Sequence, residues 1–417
     1  VPGAQYPREI ANWALVSVGM GAVEGALAGS MVLARFGGDA PGWLVDVAVG
    51  LVAGAPAWSN LASFLFATHQ LGRDKIRWTV RWQALALGSV LALALVPEGA
   101  LGLLATVLLV IAARIAWVGV ITLRAVVWRR NFPDAARARL ASRLTGLNAV
   151  LMAGSAGLLG WLLTHAPAWV PWWFGVAGAI GLVGAWRYRA IRVRGHGSLR
   201  ASEARLRTHV ELRPSLAGFR HVLASDPLYA RYMRGMFVFG SGNLMLPAPV
   251  LLVLAERLAL APAQQVLLLT VLPLLVLPFA VGAWARLLDR VRIIRFRAVH
   301  AWSFVGASAA FLLGCVGAGE GWLWLGALLL GIGIAGGQLG WNLGHNDFAR
   351  PEQAAVYMGV HVTLTGVRGL AAPLVGVLAY RGLESVVPGQ GAWVLLLPLA
   401  LNLVGAFAFA RMREDLA

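Results

Sequence analysis

Cysteine, lysine and acidic side chains are scarce: the 417 residues hold one cysteine, Cys315, one lysine, Lys75, and 18 carboxylates. One thiol excludes an intrachain disulfide and a thiolate-rich metal site. No catalytic triad, phosphate-cradling glycine loop or ATP-binding domain can be read along the chain, so enzyme and ATP-driven pump readings find no support. His345 beside Asp347 lacks a third ligand nearby, and neither a metal nor another cofactor is expected. The first apolar run is long and no small-residue cleavage site follows it, so no cleavable leader is expected there. With a single lysine among 35 basic residues, the bias towards arginine reads as a coding preference, and Lys75 carries no functional weight.

What is abundant is apolar. Hydrophobic residues make up 59% of the chain, charged ones 13%, and the mean hydropathy is +0.73. Runs of roughly 20 apolar residues, each enough for one helical crossing of about 30 Å, recur from end to end. Bounded by Arg, Pro, Gly or acidic residues, they predict twelve spans at 10–35, 42–66, 82–97, 100–127, 145–165, 168–186, 231–255, 263–284, 298–316, 321–346, 354–380 and 391–411. The formal charge of +17 could point to nucleic acid, but the arginines sit in short loops between these runs, so no nucleic-acid partner is expected. If the chain starts inside, only Arg35, Arg257 and Arg381 lie near the outer surface, Arg114 and Arg368 lie within the membrane, and the other 30 basic residues face the cytoplasm. Positive-inside asymmetry then predicts a multi-pass protein of the cell's inner membrane with both termini cytoplasmic. The longest polar stretch carries nine arginines between Arg187 and Arg220 and divides the chain into 1–186, a basic linker 187–230 with an amphipathic segment, and 231–417. That linker suits anionic lipid headgroups, although a solvated connection obeying the same charge rule explains it too.

Twelve spans in two halves joined by a basic loop resemble the major facilitator superfamily, and short motifs carry the likeness further. After the second span LFATHQLGRDK is similar to the superfamily's loop signature in Gly72 and Arg73, with His69 and Gln70 where an Asp-Arg pair usually stands. After the eighth, ARLLDRVRIIR keeps Asp289 and Arg290. Two partial copies at equivalent places are what internal repeats predict. The resemblance implies an all-α fold of two pseudo-symmetric six-helix bundles, and gating of the cytoplasmic side by Gly72, Arg73, Asp289 and Arg290, with Asp289 pairing a loop arginine or capping a neighbouring helix. Ordinary topology-setting charge is the plainer reading of any one of these. Gly154, Gly157 and Gly160 of the fifth span read as close helix packing.

The fourth span, LLVIAARIAWVGVITLRAVVWRRN, holds Arg114 near its centre, where insertion scales put the cost of an arginine at ~2.5 to 3.5 kcal/mol. Glu24 lies about 14 residues into the first span, roughly 21 Å at 1.5 Å per residue, at a depth similar to that of Arg114. In the fold that the resemblance implies, both spans face a central cavity, so Glu24 and Arg114 are expected to pair, with Glu24 as a proton-coupling group. Arg368 in the eleventh span has no carboxylate at its depth. Two deep guanidiniums against one carboxylate leave a positive site, and guanidinium forks suit oxyanions; arginines bonded to backbone carbonyls are the structural alternative. Asn243, Gln338, Asn342, His361 and Thr365 are the other expected substrate contacts, since polar residues in spans seldom face lipid. The leading expectation is a monomeric secondary transporter that moves a small organic anion or amphipathic acid by alternating access. A proton-driven exporter of cationic or neutral drugs and a non-transporting sensor or assembly partner stand as alternatives.

Overall fold

The computed structural model describes residues 2–208, 216–350 and 353–414. Residues 209–215 of the linker, and the extreme ends included in the expected domain boundaries, lie outside the described residues. Among those described there is no strand, and twelve helices are long and apolar enough to cross a membrane: Gln5–Phe36, Gly42–Ala62, Lys75–Leu95, Gly99–Asn131, Arg143–His165, Pro167–Ala190, Pro227–Arg257, Pro262–Leu288, Ile293–Cys315, Gly321–Asp347, Val356–Val386 and Gly391–Arg413. In a bilayer every backbone polar group must be satisfied within the segment, which is why apolar sequence of this length folds as helix. The protein is a multi-pass membrane protein.

The packing repeats. In the first half the first span lies against the sixth, and the third against the fourth and sixth; in the second half the seventh lies against the twelfth, and the ninth against the tenth and twelfth. The halves meet through the second and eleventh spans and, symmetrically, through the fifth and eighth. Small residues allow that approach. A side chain at Gly50 would strike Leu374, one at Gly369 would strike the backbone of Trp58, and one at Gly160 would strike Val266.

Four spans begin or end five or more residues beyond their apolar runs. The first starts at Gln5, the third at Lys75 and the ninth at Ile293, while the eleventh runs on to Val386. Polar side chains at these ends face other polar groups inside the bundle, so hydropathy does not register them. Three basic residues expected in solvated loops lie inside the protein: Lys75 and Arg297 are buried, and Arg124 lies inside the fourth span against two tryptophans.

The first span is interrupted near its middle. Its helix ends at Gly21, and Glu24 is extended (φ −74°, ψ 134°) before the helix resumes at Gly25. The seventh span is interrupted at the equivalent depth, where Leu246 separates Pro227–Met245 from Pro247–Leu252. Proline cannot donate the intrahelical hydrogen bond, which explains the second interruption.

Candidate functional site

At the interruption of the first span, the Val23 carbonyl is freed from the helix. Arg114 of the fourth span claims it through both Nε (3.1 Å) and Nη2, and Nη2 also donates to Glu24 Oε2 at 2.7 Å. Arg114 is buried, whereas the Glu24 side chain retains 23% exposure. The guanidinium thus stitches a broken helix, and one carboxylate offsets its charge. Its Nε and Nη2 donors are committed to the chain itself.

A second charged group, which the sequence reading missed, lies nearer the face that carries the termini. Glu9 is 0% exposed, so Glu24 is not the only carboxylate inside a span. Tyr188 donates to Glu9 Oε1 at 3.4 Å, and one turn further along the first span, at Trp13, the Arg124 guanidinium carbon lies 3.3 Å from that ring's centroid and 4.3 Å from that of Trp128. Nearby, Asn12 and Gln83 exchange amide hydrogen bonds at 3.3 and 3.4 Å. Spacing carried a signal: Glu9, Asn12 and Trp13 share one helical face.

The second half differs. Arg368 is 4% exposed; it donates Nη1 to the Met236 carbonyl and Nη2 to Thr365 Oγ1 at 2.9 Å, and its guanidinium fills the space above Gly240. Arg297, also missed, is 2% exposed and lies over Gly340. Its Nη1 donates to His300 Nδ1 at 3.3 Å, and His300 Nε2 donates to the Gly333 carbonyl at 2.8 Å. The sequence signal was the stripe Gly333, Gly336, Gly340 and Gly344 on the tenth span: Arg297 and His300 of the ninth lie upon it. Among the described residues no carboxylate bonds to Arg297 or Arg368.

Of the expected contacts, His361, Thr365 and Arg368 share one stripe of the eleventh span, and Trp341 meets His361 at a ring separation of 6.0 Å. Asn243 lies one turn past Gly240 with Oδ1 unpartnered. Gln338 and Asn342 are exposed on the side of the tenth span away from its glycine stripe; the Asn342 amide bonds only back to the Gln338 carbonyl, and neither hydrogen-bonds to Arg368.

The loop motifs are wired through other acids than expected. Asp289 is exposed at the carbonyl end of the eighth span, where a helix dipole disfavours a carboxylate, and among the described residues its side chain has no partner. Asp347 does the capping expected of it, accepting from Ile293 N at 2.5 Å at the start of the ninth span. Arg290 is exposed. In the first half the acid comes from the linker: Glu203 Oε2 accepts from Gly72 N at 2.9 Å and from Lys75 Nζ at 2.5 Å. Lys75, discounted above, is 2% exposed and also holds the Gln70 carbonyl. Gly72 needs its positive φ of 70° for the turn, and Arg73 contacts His69 Nε2 at 2.9 Å.

At the face opposite the termini a polar lock joins the halves. Arg381 of the eleventh span donates Nε and Nη2 to both oxygens of Asp46 in the second span (2.8 and 2.6 Å), and Nη1 and Nη2 to Glu256 at the end of the seventh (2.7 and 2.6 Å). Ser30 donates to Gln265 Oε1 at 2.7 Å, and Ala263 N donates to Thr164 Oγ1 at 2.9 Å, both across the same divide.

This architecture is the major facilitator fold, two pseudo-symmetric six-helix bundles meeting along paired spans. The chain is similar throughout its length to three solved transporters: the nucleoside transporter NupG (13% identity, 98% of this chain and 99% of that one, TM-score 0.70), the D-xylose–proton symporter (13%, 98% and 96%, 0.70) and the POT family transporter PepTSo (14%, 99% and 98%, 0.68). At such identities the likeness establishes the fold. No protein-family model and no curated protein matches the sequence.

Proposed function

We propose that the protein is a secondary active transporter of a small organic anion, working by alternating access in the inner membrane with both termini in the cytoplasm. Segments 1–186 and 231–417 would rock against each other, joined by 187–230, whose arginines rest on anionic headgroups. The observation that carries this reading is the shared Arg381: one guanidinium is divided between Asp46 of one half and Glu256 of the other, closing one face through contacts that can separate and reform. The transporter names of the fold's relatives agree with it. The anionic preference rests on Arg368, to which no carboxylate bonds among the described residues. Glu24 is the proton-coupling group in this scheme, because its protonation would release Arg114 from the ion pair while leaving the Val23 carbonyl bond. A drug exporter that takes cations on Glu24 is less well supported, since that carboxylate is already occupied by Arg114.

Reconstitution in liposomes tests the proposal. Counterflow of a labelled organic anion should appear with the wild type, and Glu24→Gln should keep exchange while losing pH-driven uptake. Absence of counterflow for organic acids, phosphorylated compounds and cationic drugs alike would leave only a non-transporting sensor or assembly partner.

A further inference from the structure

Faces of the seventh, ninth, tenth and eleventh spans converge inside the second half. On the seventh span Tyr232, Met236 and Gly240 follow one another at four-residue spacing; Arg368 covers Gly240 and bonds Met236. The Tyr232 hydroxyl lies 3.1 Å from where a Cβ at Gly344 would stand. One turn earlier on that same tenth span, Gly340 underlies Arg297. His361 belongs to the Arg368 stripe and meets Trp341 from the tenth. Arg297, Arg368, His361 and Tyr232 are all less than 9% exposed, and Arg297 Nε, Arg368 Nε, His361 Nε2 and Tyr232 Oη have no hydrogen-bond partner in the protein.

The charge balance there is unusual. Arg368 over Gly240 and Arg297 over Gly340 are both buried, and taking each guanidinium out of water costs several kcal/mol unless charge of the other sign is close. Among the described residues, the acids at the ends of the seventh and tenth spans are otherwise engaged: Asp226 takes Tyr229 N and the Tyr357 hydroxyl, and Asp347 takes Ile293 N. His300 cannot help, because its Nδ1 already accepts from Arg297 while its Nε2 donates to Gly333.

We propose that the interior of the second half is an oxyanion site, in which a phosphate, sulfate or carboxylate group is held between Arg297 and Arg368 with Tyr232 and His361 as further donors. A planar guanidinium edge matches the oxygens of such a group, and charge-assisted bonds to it are about twice as strong as neutral ones. The site deepens the anionic reading above and rests on it for its place in transport, but it binds through one half alone and is measured without flux.

The test uses purified full-length protein in detergent, exchanged into a buffer free of oxyanions. Sodium phosphate, sodium sulfate and sodium acetate are titrated separately, with sodium chloride at matched ionic strength, and the melting temperature is followed. At least one oxyanion should raise it saturably where chloride does not; phosphate or sulfate acting alone names a free dianion, and acetate acting as well names any carboxylate-bearing solute. Arg297→Gln and Arg368→Gln should each weaken that effect at least about tenfold, the worth of one such bond, while Arg286→Gln, an exposed arginine of the same half, should not. Should either variant fail to fold, equilibrium dialysis of the wild type with radiolabelled sulfate, competed by phosphate, decides: one saturable site per chain supports the proposal and none overturns it. A chloride effect equal to that of the oxyanions, or an oxyanion effect intact in both variants, also overturns it. Saturable binding without counterflow would sink the transport reading and leave the site, whereas counterflow without saturable oxyanion binding would do the reverse.

Discussion

The two halves share a helical scaffold but treat buried arginine in opposite ways. In the first, Arg114 is bonded to Glu24, and Arg124 stacks on Trp13, one turn along the first span from the buried carboxylate of Glu9. In the second, Arg297 and Arg368 lie equally deep, and their partners are an imidazole, a hydroxyl and a carbonyl, none of which carries negative charge. A repeated fold therefore fixes where helices cross without fixing the charge at the crossing. Neutralised arginines can serve as struts; uncompensated ones are the place to look for a ligand. Arg381 stands between the cases, since it lies in the second half and borrows Asp46 from the first.

The largest effect should come from unbalancing the first half. Arg114→Gln leaves Glu24 and the freed Val23 carbonyl without their donor, and breaking one side of a buried pair costs ~3 to 5 kcal/mol; the melting temperature should fall steeply. Glu24→Gln should cost less, since Arg114 keeps Val23 and the Glu24 side chain is partly exposed. In a double-mutant cycle the pair should then be less damaging than the sum of the singles. Additive effects would remove the ion pair, and with it the contrast between the halves.

A smaller effect is expected at the shared lock. Arg381 and Glu256 are each more than a third exposed, so solvent screening limits that pair to roughly 1 kcal/mol, and the two bonds lost by the less exposed Asp46 add to the stability change in Arg381→Gln. The conformational change should be easier to see. With spin labels on Asp39→Cys and Ala318→Cys in a Cys315→Ser background, distances across the face opposite the termini should lengthen or broaden on Arg381→Gln. An unchanged distribution would reduce the lock to a surface ion pair.

The smallest effect should follow from removing an arginine that has no acid. In oxyanion-free buffer Arg297→Met leaves no carboxylate behind, and His300 keeps its bond to Gly333, so the melting temperature should change by less than in Arg114→Gln and can rise, as when buried charges give way to packed apolar groups. A loss as large as that of Arg114→Gln would show that Arg297 is a strut after all, and the halves would be alike.

Much of this was legible in the chain. Apolar runs located all twelve crossings, and the depths of Glu24 and Arg114 pointed to a pair whose side chains do meet at 2.7 Å. Four of the illegible residues share one property: Glu9, Lys75, Arg297 and Arg381 all sit within the first or last two turns of spans that reach into polar sequence. A hydropathy window averages over both helix faces, so a charge turned inwards and one turned to water look the same. Asp289 and Asp347 illustrate the converse, because which of two loop acids caps the ninth span depends on where the chain returns in space.

Membrane crossing is a local property, set by the backbone's need for hydrogen bonds within some 20 apolar residues, and for that reason the sequence by itself determined the helix count and the all-α class. Partnership of charges is not local. Glu203 reaches Lys75 across 128 residues and Arg381 reaches Asp46 across 335, and only the packing of helices at glycines such as Gly50, Gly340 and Gly369 brings the faces together. The tertiary structure alone decided which buried arginines are balanced and which are not, because a guanidinium's energy inside the bundle depends on the few ångströms around it and not on its neighbours in the chain.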